Sequence, residues 1–330
     1  KVPFLEDSGQ ADYNASYSYF LETCSRYGLD AGFTTSADII GPGLCKNYWT
    51  ATDGSWLKVA RKARFVHVFD KISPTSSIRA EERKLLLSKA LVRPFNDVEL
   101  FNTFFDKLIT YNKLKKFALP TVALTSNKMS DINTALLKLK QLMTQYEGSG
   151  DFSESIILKD RFGAGGNNVY KIDDHFEKEI VEIVKQQKDI RFILQPFLIF
   201  DKGFVYKNNQ TATDIRLIFH HDKLLQSYLR MARENDFRCN GHQGGSLLYV
   251  RPDEVPKIIT NTAEKIVKKL NKPNSLFSLD FGISNVGNAF LIEGNVAPGL
   301  NWDSQDKMDE KMCKQLIRNI VQELALRVHN

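Results

Sequence analysis

SLDFGISNVGNAFLIEGNVAPGL, residues 278–300, reads as two adjacent strands joined by a tight reversal. A strand of alternating pattern ends near Asp280, the turn Asn285 to Asn288 sends the chain back, and Phe290 to Ile292 brings Glu293 alongside. Side chains alternate along a strand, so Glu293 and Asn295 share a face. Two carboxylates and an amide oxygen form a hard, oxygen-only set that suits Mg2+, with Mn2+ as a substitute, shared with phosphate oxygens. No cysteine or histidine joins the set, which disfavours zinc. Taken alone, the same residues also read as ordinary turn positions and an exposed strand-end charge.

Upstream, SIILKDRFGAGGNNVYKI (155–172) carries an apolar strand into Lys159 and then a glycine-rich loop before a second strand. Gly163, Gly165 and Gly166 permit positive φ and leave amides uncovered, so the loop can fold over phosphates while Lys159 supplies charge. The lysine precedes the glycines and a strand follows them, so this is not a Walker loop; without a βαβ unit it is not a dinucleotide fingerprint either. A flexible hairpin tip is the alternative. In RFILQPFLIFDKG (191–203), Pro196 removes a ladder donor and turns the end of the strand into an edge or linker. Backbone groups of Gln195, Pro196, Phe197 and Leu198 are then free to meet a flat heterocycle, with Asp201 spaced to reach a ribose hydroxyl.

These motifs, in this order, resemble the ATP-grasp carboxylate-amine ligases. The set comprises DKL at Asp106 to Leu108, Lys159 with its loop, the Gln195 linker, DIRLIF at Asp214 to Phe219, and the trio Asp280, Glu293 and Asn295. The spacing of the trio is that of D-alanyl-D-alanine ligases. LRMARENDFRCNGHQGGS (229–246) is similar to a segment of ribosomal-protein α-L-glutamate ligases and bacterial glutathione synthetases. The resemblance spans roughly residues 95 to 300 and implies an ATP-grasp fold of α/β and α+β type, with an N-terminal pre-ATP-grasp α/β domain.

It further implies that Lys107 and Lys159 contact ATP phosphates, that the glycine loop closes on them, and that Gln195 to Leu198 hold adenine with Asp201 on the ribose. Asp280, Glu293 and Asn295 would hold Mg2+, and Arg230 and Arg238 would face the transferred phosphoryl group. Where D-alanyl-D-alanine ligases carry an arginine two positions before the first metal carboxylate, this chain has Ser278. Arg216, Arg230 and Arg233 equally read as a solvated basic strand face. The implied reaction passes the γ-phosphate to a carboxylate, and an amine then displaces it; the substrates would be small molecules, peptides or a protein tail. A phosphotransferase and a non-catalytic nucleotide binder are the other classes compatible with the motifs.

The 330 residues carry a formal net charge of +6, with 42% hydrophobic and 25% charged residues. Basic residues are dispersed among acids, which argues against a nucleic-acid surface. KIVKKLNK, 265–272, reads as the polar face of a helix. Cys24, Cys45, Cys239 and Cys313 have no metal or CxxC spacing, so a reducing, cytoplasmic compartment is expected. No stretch suits a membrane span and no signal peptide is visible, although the chain opens on Lys1 rather than Met. A homo-oligomer is compatible with the sequence. His67 lies in an apolar strand, His220 and His221 cannot share a strand face, and His242 has a case for substrate contact.

Three divisions are expected. Residues 1–92 form an α/β domain with strand KVPFLED, helix Ala11 to Tyr27, short strands within Ala31 to Ile40 and Phe65 to Phe69, and a helical linker at 80–92. Residues 93–195 contain a helix through Lys107, strand Val122 to Thr125, helix Asp131 to Tyr146 and the glycine-loop hairpin. Residues 196–330 alternate strands with helices Glu254 to Leu270 and Asp309 to Val328. Tyr13, Tyr17, Phe20 and Cys24 fall at helical spacing, as a packed face does.

Overall fold

The computed structural model describes residues 2–5, 10–207 and 211–329, without the His242 side chain. The chain divides into two compact units, Val98–Val296 and a unit combining Lys1–Asp97 with Ala297–Asn330. Residues 208–210, within the long segment before DIRLIF, lie outside the described residues.

The first unit holds helix α1 (Asp12–Arg26), strands β1 (Ile39–Gly41), β2 (Leu44–Cys45), β3 (Tyr48–Thr52), β4 (Ser55–Val59), β5 (Ala63–Arg64) and β6 (His67–Val68), helix α2 (Ser77–Leu86) and strand β7 (Arg93–Pro94). They form a three-stranded sheet β1-β2-β5, a β3-β4 hairpin and a parallel β6-β7 pair. The helical spacing on α1 is a core face: Tyr17, Phe20 and Cys24 are buried, and Phe4 packs its ring on Tyr13 and Tyr17. That packing corrects the expected strand KVPFLED: Val2 to Leu5 form none, because Asn14 holds both the amide and the carbonyl of Phe4. Lys1, Glu6 and Asp7 lie outside the described residues. The linker helix stops at Leu86, short of the expected 92.

The second unit begins with helices α3 (Val98–Phe105) and α4 (Lys107–Leu114), strand β8 (Val122–Ala123) and helix α5 (Met129–Met143). Strands β9 (Phe152–Asp160) and β10 (Val169–Ile172), helix α6 (Phe176–Gln186) and strand β11 (Phe192–Leu198) follow. Four strands pair in the order β10-β9-β11-β8. One apolar face of this sheet, with Ile156, Leu158 and Leu194, packs on Ile132, Ala135 and Leu139 of α5 and Ile180 of α6. The missing donor of Pro196 was expected to turn the end of the strand into an edge or linker; β11 instead runs through Pro196 to Leu198. β8 pairs only with Ile193 and Leu194, so Pro196 sits where that side of β11 has no partner strand to lose.

A second sheet contains β12 (Thr213–His220), β13 (Lys223–Met231), β14 (Ser246–Val250), β15 (Phe277–Ile283) and β16 (Ala289–Asn295), ordered β14-β13-β12-β15-β16, with helix α7 (Lys257–Leu270) between β14 and β15. Ile215, Leu217, Phe219, Leu279 and Phe281 point one way, onto Ile259, Ala263 and Ile266 of α7 and Phe104 of α3. Residues between them in sequence point the other way, and they are mostly polar. The reversal at 284–288 forms as read, closed by Ser284 N to Asn288 O at 2.8 Å, but β15 extends to Ile283 rather than ending near Asp280.

Gly294 explains how α3 sits so close to β16. A Cβ at that position would fall 2.3 Å from carbons of the Phe104 ring. Gly294→Ala should therefore lose about 1–3 kcal/mol from overpacking, read as a lower urea midpoint with an unchanged slope.

The chain ends in α8 (Lys307–His329), which was expected within the last division but clusters with the first unit. Its apolar stripe packs beside α1, Arg318 Nη1 reaches the Tyr19 hydroxyl at 3.0 Å, and Lys71 Nζ donates to the carbonyls of Ala297 and Pro298. Among the described residues no helix is long and apolar enough to cross a membrane.

Candidate active site

Strand register builds the centre of the site. Tyr228 on β13, Arg216 on β12, Asp280 on β15 and Glu293 on β16 lie side by side across four strands. One step of the alternation away on the same face, Arg230 lies opposite Asp214. The Asp280 carboxylate accepts from Arg216 Nε at 2.6 Å, Arg216 Nη2 at 2.5 Å and Arg230 Nη2 at 2.7 Å. Arg230 also forks onto both oxygens of Asp214 at 2.7 Å. Two guanidinium and two carboxylate groups thus neutralise one another away from water. Burial would raise the Asp280 carboxyl, but Arg216 and Arg230 hold it below the usual range. For Asp214 burial outweighs Arg230, and its carboxyl moves up. Both arginines, despite burial, are held above their ordinary values by the acids.

The solvated-face reading therefore fails for Arg216 and Arg230 and survives for Arg233, which is 60% exposed beside Asp236. Arg230, expected to be free to grip an incoming anion, is committed on both sides to carboxylates.

A second group of charges converges from α4 and β9. Asp106 caps α4, accepting from Leu108 N at 2.9 Å, and takes a bidentate bond from Arg161 at 2.7 and 2.6 Å. This clamp places Lys107 at the first helical position, where its Nζ bonds the Gly163 carbonyl and lies 3.3 Å from Glu293 Oε1. Lys159 closes the group from the end of β9. Burial and the Lys107 charge push it down to about 8, against the pull of Glu293 and Asp280. In the glycine loop Gly165 and Gly166 take φ of +70° and +74°, as read. Gly163 does not have a positive φ; it is small because a Cβ there would fall 2.9 Å from the Asp160 side chain. Gln243 Nε2 reaches the Gly165 carbonyl at 3.3 Å and ties the loop to the 238–245 segment.

Around these charges lies a cavity of about 120 Å3. Lys107, Lys159, Gly163, Gly166, Gln195, Pro196, Phe197, Leu198, Arg238 and Glu293 all line it. Phe197 and Phe237 meet edge to face at 5.5 Å on its wall, and Arg238 is held by Asp236 at 2.9 Å. Gln195 Nε2 donates to the Thr121 hydroxyl at 2.8 Å, and by the alternation of the ladder the Gln195 backbone faces Ile157 on β9 rather than standing free as expected. Gly165, Asp201, Arg230, Asp280 and Asn295 are not part of the lining. Asp201 sits on an exposed turn where it accepts from Asn285 Nδ2 at 2.9 Å. Asp214, Phe237 and Asn240 line the cavity without having been singled out. Their signal was present: each lies inside DIRLIF or the FRCN segment.

The donor set fits a hard cation. Glu293 faces Asp280 across one register pair and Asn295 falls two positions on, opposite Ser278. Both Asp280 oxygens are already engaged by guanidinium groups, so a cation there would share that carboxylate with Arg216 and Arg230.

A family model described as the RimK-like ATP-grasp domain matches residues 110–320. A probable alpha-L-glutamate ligase of Histophilus somni (strain 2336) is 28% identical over 146 residues, covering 44% of this chain and 43% of that protein. The Glutamate–LysW ligase ArgX of Sulfurisphaera tokodaii is 28% identical over 200 residues, 59% of this chain and 63% of the relative. The matches thus span less than two thirds of the relatives' own lengths. Among solved structures, the D-cycloserine synthetase DcsG superposes with TM-score 0.60 at 14% identity over 95% of both chains. A Chryseobacterium gregarium RiPP-associated ATP-grasp ligase, solved with ADP and a leader and core peptide, gives 0.56 at 12% identity over 94% of this chain and 93% of that one. At such identities the likeness is one of fold.

Proposed function

The chain belongs to the RimK-like ATP-grasp family, and from that premise we propose that it is an ATP-dependent ligase joining a carboxylate to an amine through an acylphosphate. The observation that carries this reading is the convergence of Lys107, Lys159, the glycine loop and Glu293 on one cavity, beside the buried Arg216–Asp280–Arg230–Asp214 array. A carboxylate is a poor electrophile. Phosphorylation converts one of its oxygens into a leaving group, the amine displaces phosphate, and ADP, phosphate and an amide result. Little of this needs a nucleophilic side chain; charge placement and orientation suffice.

In this reading Lys107 and Lys159 neutralise the phosphates, Phe197 and Phe237 flank the base, and Arg238 faces the transferred phosphoryl group. Glu293, Asp280 and Asn295 are the residues to hold Mg2+, which when bound would offset phosphate charge. Arg216 and Arg230 orient Asp280. The cavity is smaller than the ~300–1,000 Å3 of most ligand pockets, so nucleotide entry requires the glycine loop to lift from Gln243. The acceptor class includes peptides, by analogy with the peptide-bound neighbour, and the glutamate ligases among the relatives favour an amino acid as the other partner. A cytoplasmic location belongs to the same reading.

Assay of ADP and free phosphate with a panel of carboxylates and amines tests it. Release of both in stoichiometric amounts, dependent on an amine, is the expected result. ADP without phosphate would make the protein a phosphotransferase, and release of neither would make it a binder.

Lys159 gives this reading a pH signature. Its folded value, about 8, is below the ordinary value of 10.5, so above about 8 the unfolded chain binds more protons. Stability of the free protein should rise with pH between those limits. Affinity for a nucleotide triphosphate should move the other way, weakening as pH rises through about 8 while Lys159 loses its charge. A fluorescent-nucleotide titration across that range checks this, and Lys159→Met should abolish the step.

A further inference from the structure

A second cavity, about 780 Å3, lies between α4 and α5 and shares no lining residue with the candidate active site. β8 forms its floor, with Leu108 and Tyr111 on one wall and Ala135 and Leu142 on the other. The floor is a sheet edge. β8 pairs with β11 through Val122 and Ala123, and among the described residues no strand covers its other side. Leu124 N donates to Phe192 O, so by the alternation of an antiparallel ladder the Ala123 amide and carbonyl point away from β11, toward the open side. Such an edge is a template for an added strand.

Charge says what kind of strand. Lys115 and Lys116 past the end of α4 and Lys138 on α5 line the groove, and all three are exposed. Asp131, the one acid among the described lining residues, is turned onto the Ser126 hydroxyl at 2.5 Å. We propose that the groove docks an extended acidic peptide, which pairs with the free edge of β8 while its carboxylates meet Lys115, Lys116 and Lys138. Its apolar side chains rest on Tyr111 and Leu142. The groove also has a physical link to the active-site cavity. Thr121 lines the groove, and its hydroxyl accepts from Gln195, which lines the other cavity.

Fluorescence anisotropy of the full chain tests this with a labelled peptide alternating glutamate and valine. The same peptide with lysine for glutamate, and a labelled oligonucleotide, serve as comparisons. Saturable binding of the glutamate peptide alone is expected, weakened at least about tenfold by K115E/K116E/K138E. Ala123→Pro should weaken it to a similar degree, because it removes a donor that β11 does not use. If the proline variant melts early by circular dichroism, the charge-reversal variant decides, since its changes are confined to exposed side chains. Absence of binding would overturn the proposal. So would equal binding of the oligonucleotide, which marks a general polyanion patch, or full affinity in a well-folded Ala123→Pro variant. Self-association that competes with the peptide would overturn it in favour of a second copy of the chain. None of these outcomes bears on ADP and phosphate release, so failure here is distinct from failure of the ligase reading.

Discussion

Glu293→Gln should lower turnover by roughly 10²–10³-fold and leave the fold standing. The side chain is 24% exposed and pairs with Lys107, so the stability cost is that of a partly solvated pair, below about 1 kcal/mol. The catalytic cost is larger because three effects coincide. Glutamine keeps the shape but removes the charge that a hard cation requires. Lys107 loses the carboxylate that holds its Nζ near the glycine loop. Lys159 loses one of the two acids that keep it protonated, so its depressed value falls further and the phosphates meet less positive charge. Steady-state ADP release beside a thermal melt separates these from unfolding. Normal turnover with a normal melt would remove Glu293 from the chemistry, and with it the assignment of its neighbours.

How much of this was legible in the sequence depends on whether a feature is local or set across strands. The pairing of Asp280 with Glu293 was readable because alternation and a Gly-Asn reversal determine it within one short stretch. Lys107 and Lys159 were singled out through their motifs and both line the cavity, and the first helical position of Lys107 follows from the Asp106 cap. Alternation also shows that Arg216 and Arg230 share a face. It does not say which carboxylate each one meets, since that depends on the register of β12 against two other strands. The same limit applies to Asp201: counting residues from Gln195 could not show the turn on which Asn285 bonds it, outside the cavity lining. It also misplaced α8, whose apolar stripe guarantees burial without naming the surface that buries it.

The register also changes what should happen when Arg230 is removed. A free anion clamp, replaced by alanine, leaves stability untouched and damages only chemistry. Arg230 instead carries both bonds to Asp214 and one to Asp280, and it is 7% exposed. Alanine would leave Asp214 buried without its fork of donors and Asp280 with Arg216 alone. Breaking one side of a buried pair in this way costs about 3–5 kcal/mol, which should appear as a large fall in the urea midpoint. Lysine should rescue poorly, because a point charge cannot replace the planar fork on Asp214. Pairing Arg230→Met with Asp214→Leu should return much of the lost stability, since the uncompensated charge goes with its partner. It should not return turnover, because Asp280 would still be held from one side only. An alanine variant that unfolds at the parental midpoint would show that the guanidinium is not structurally committed, and Arg230 would revert to a direct contact for the transferred phosphoryl group.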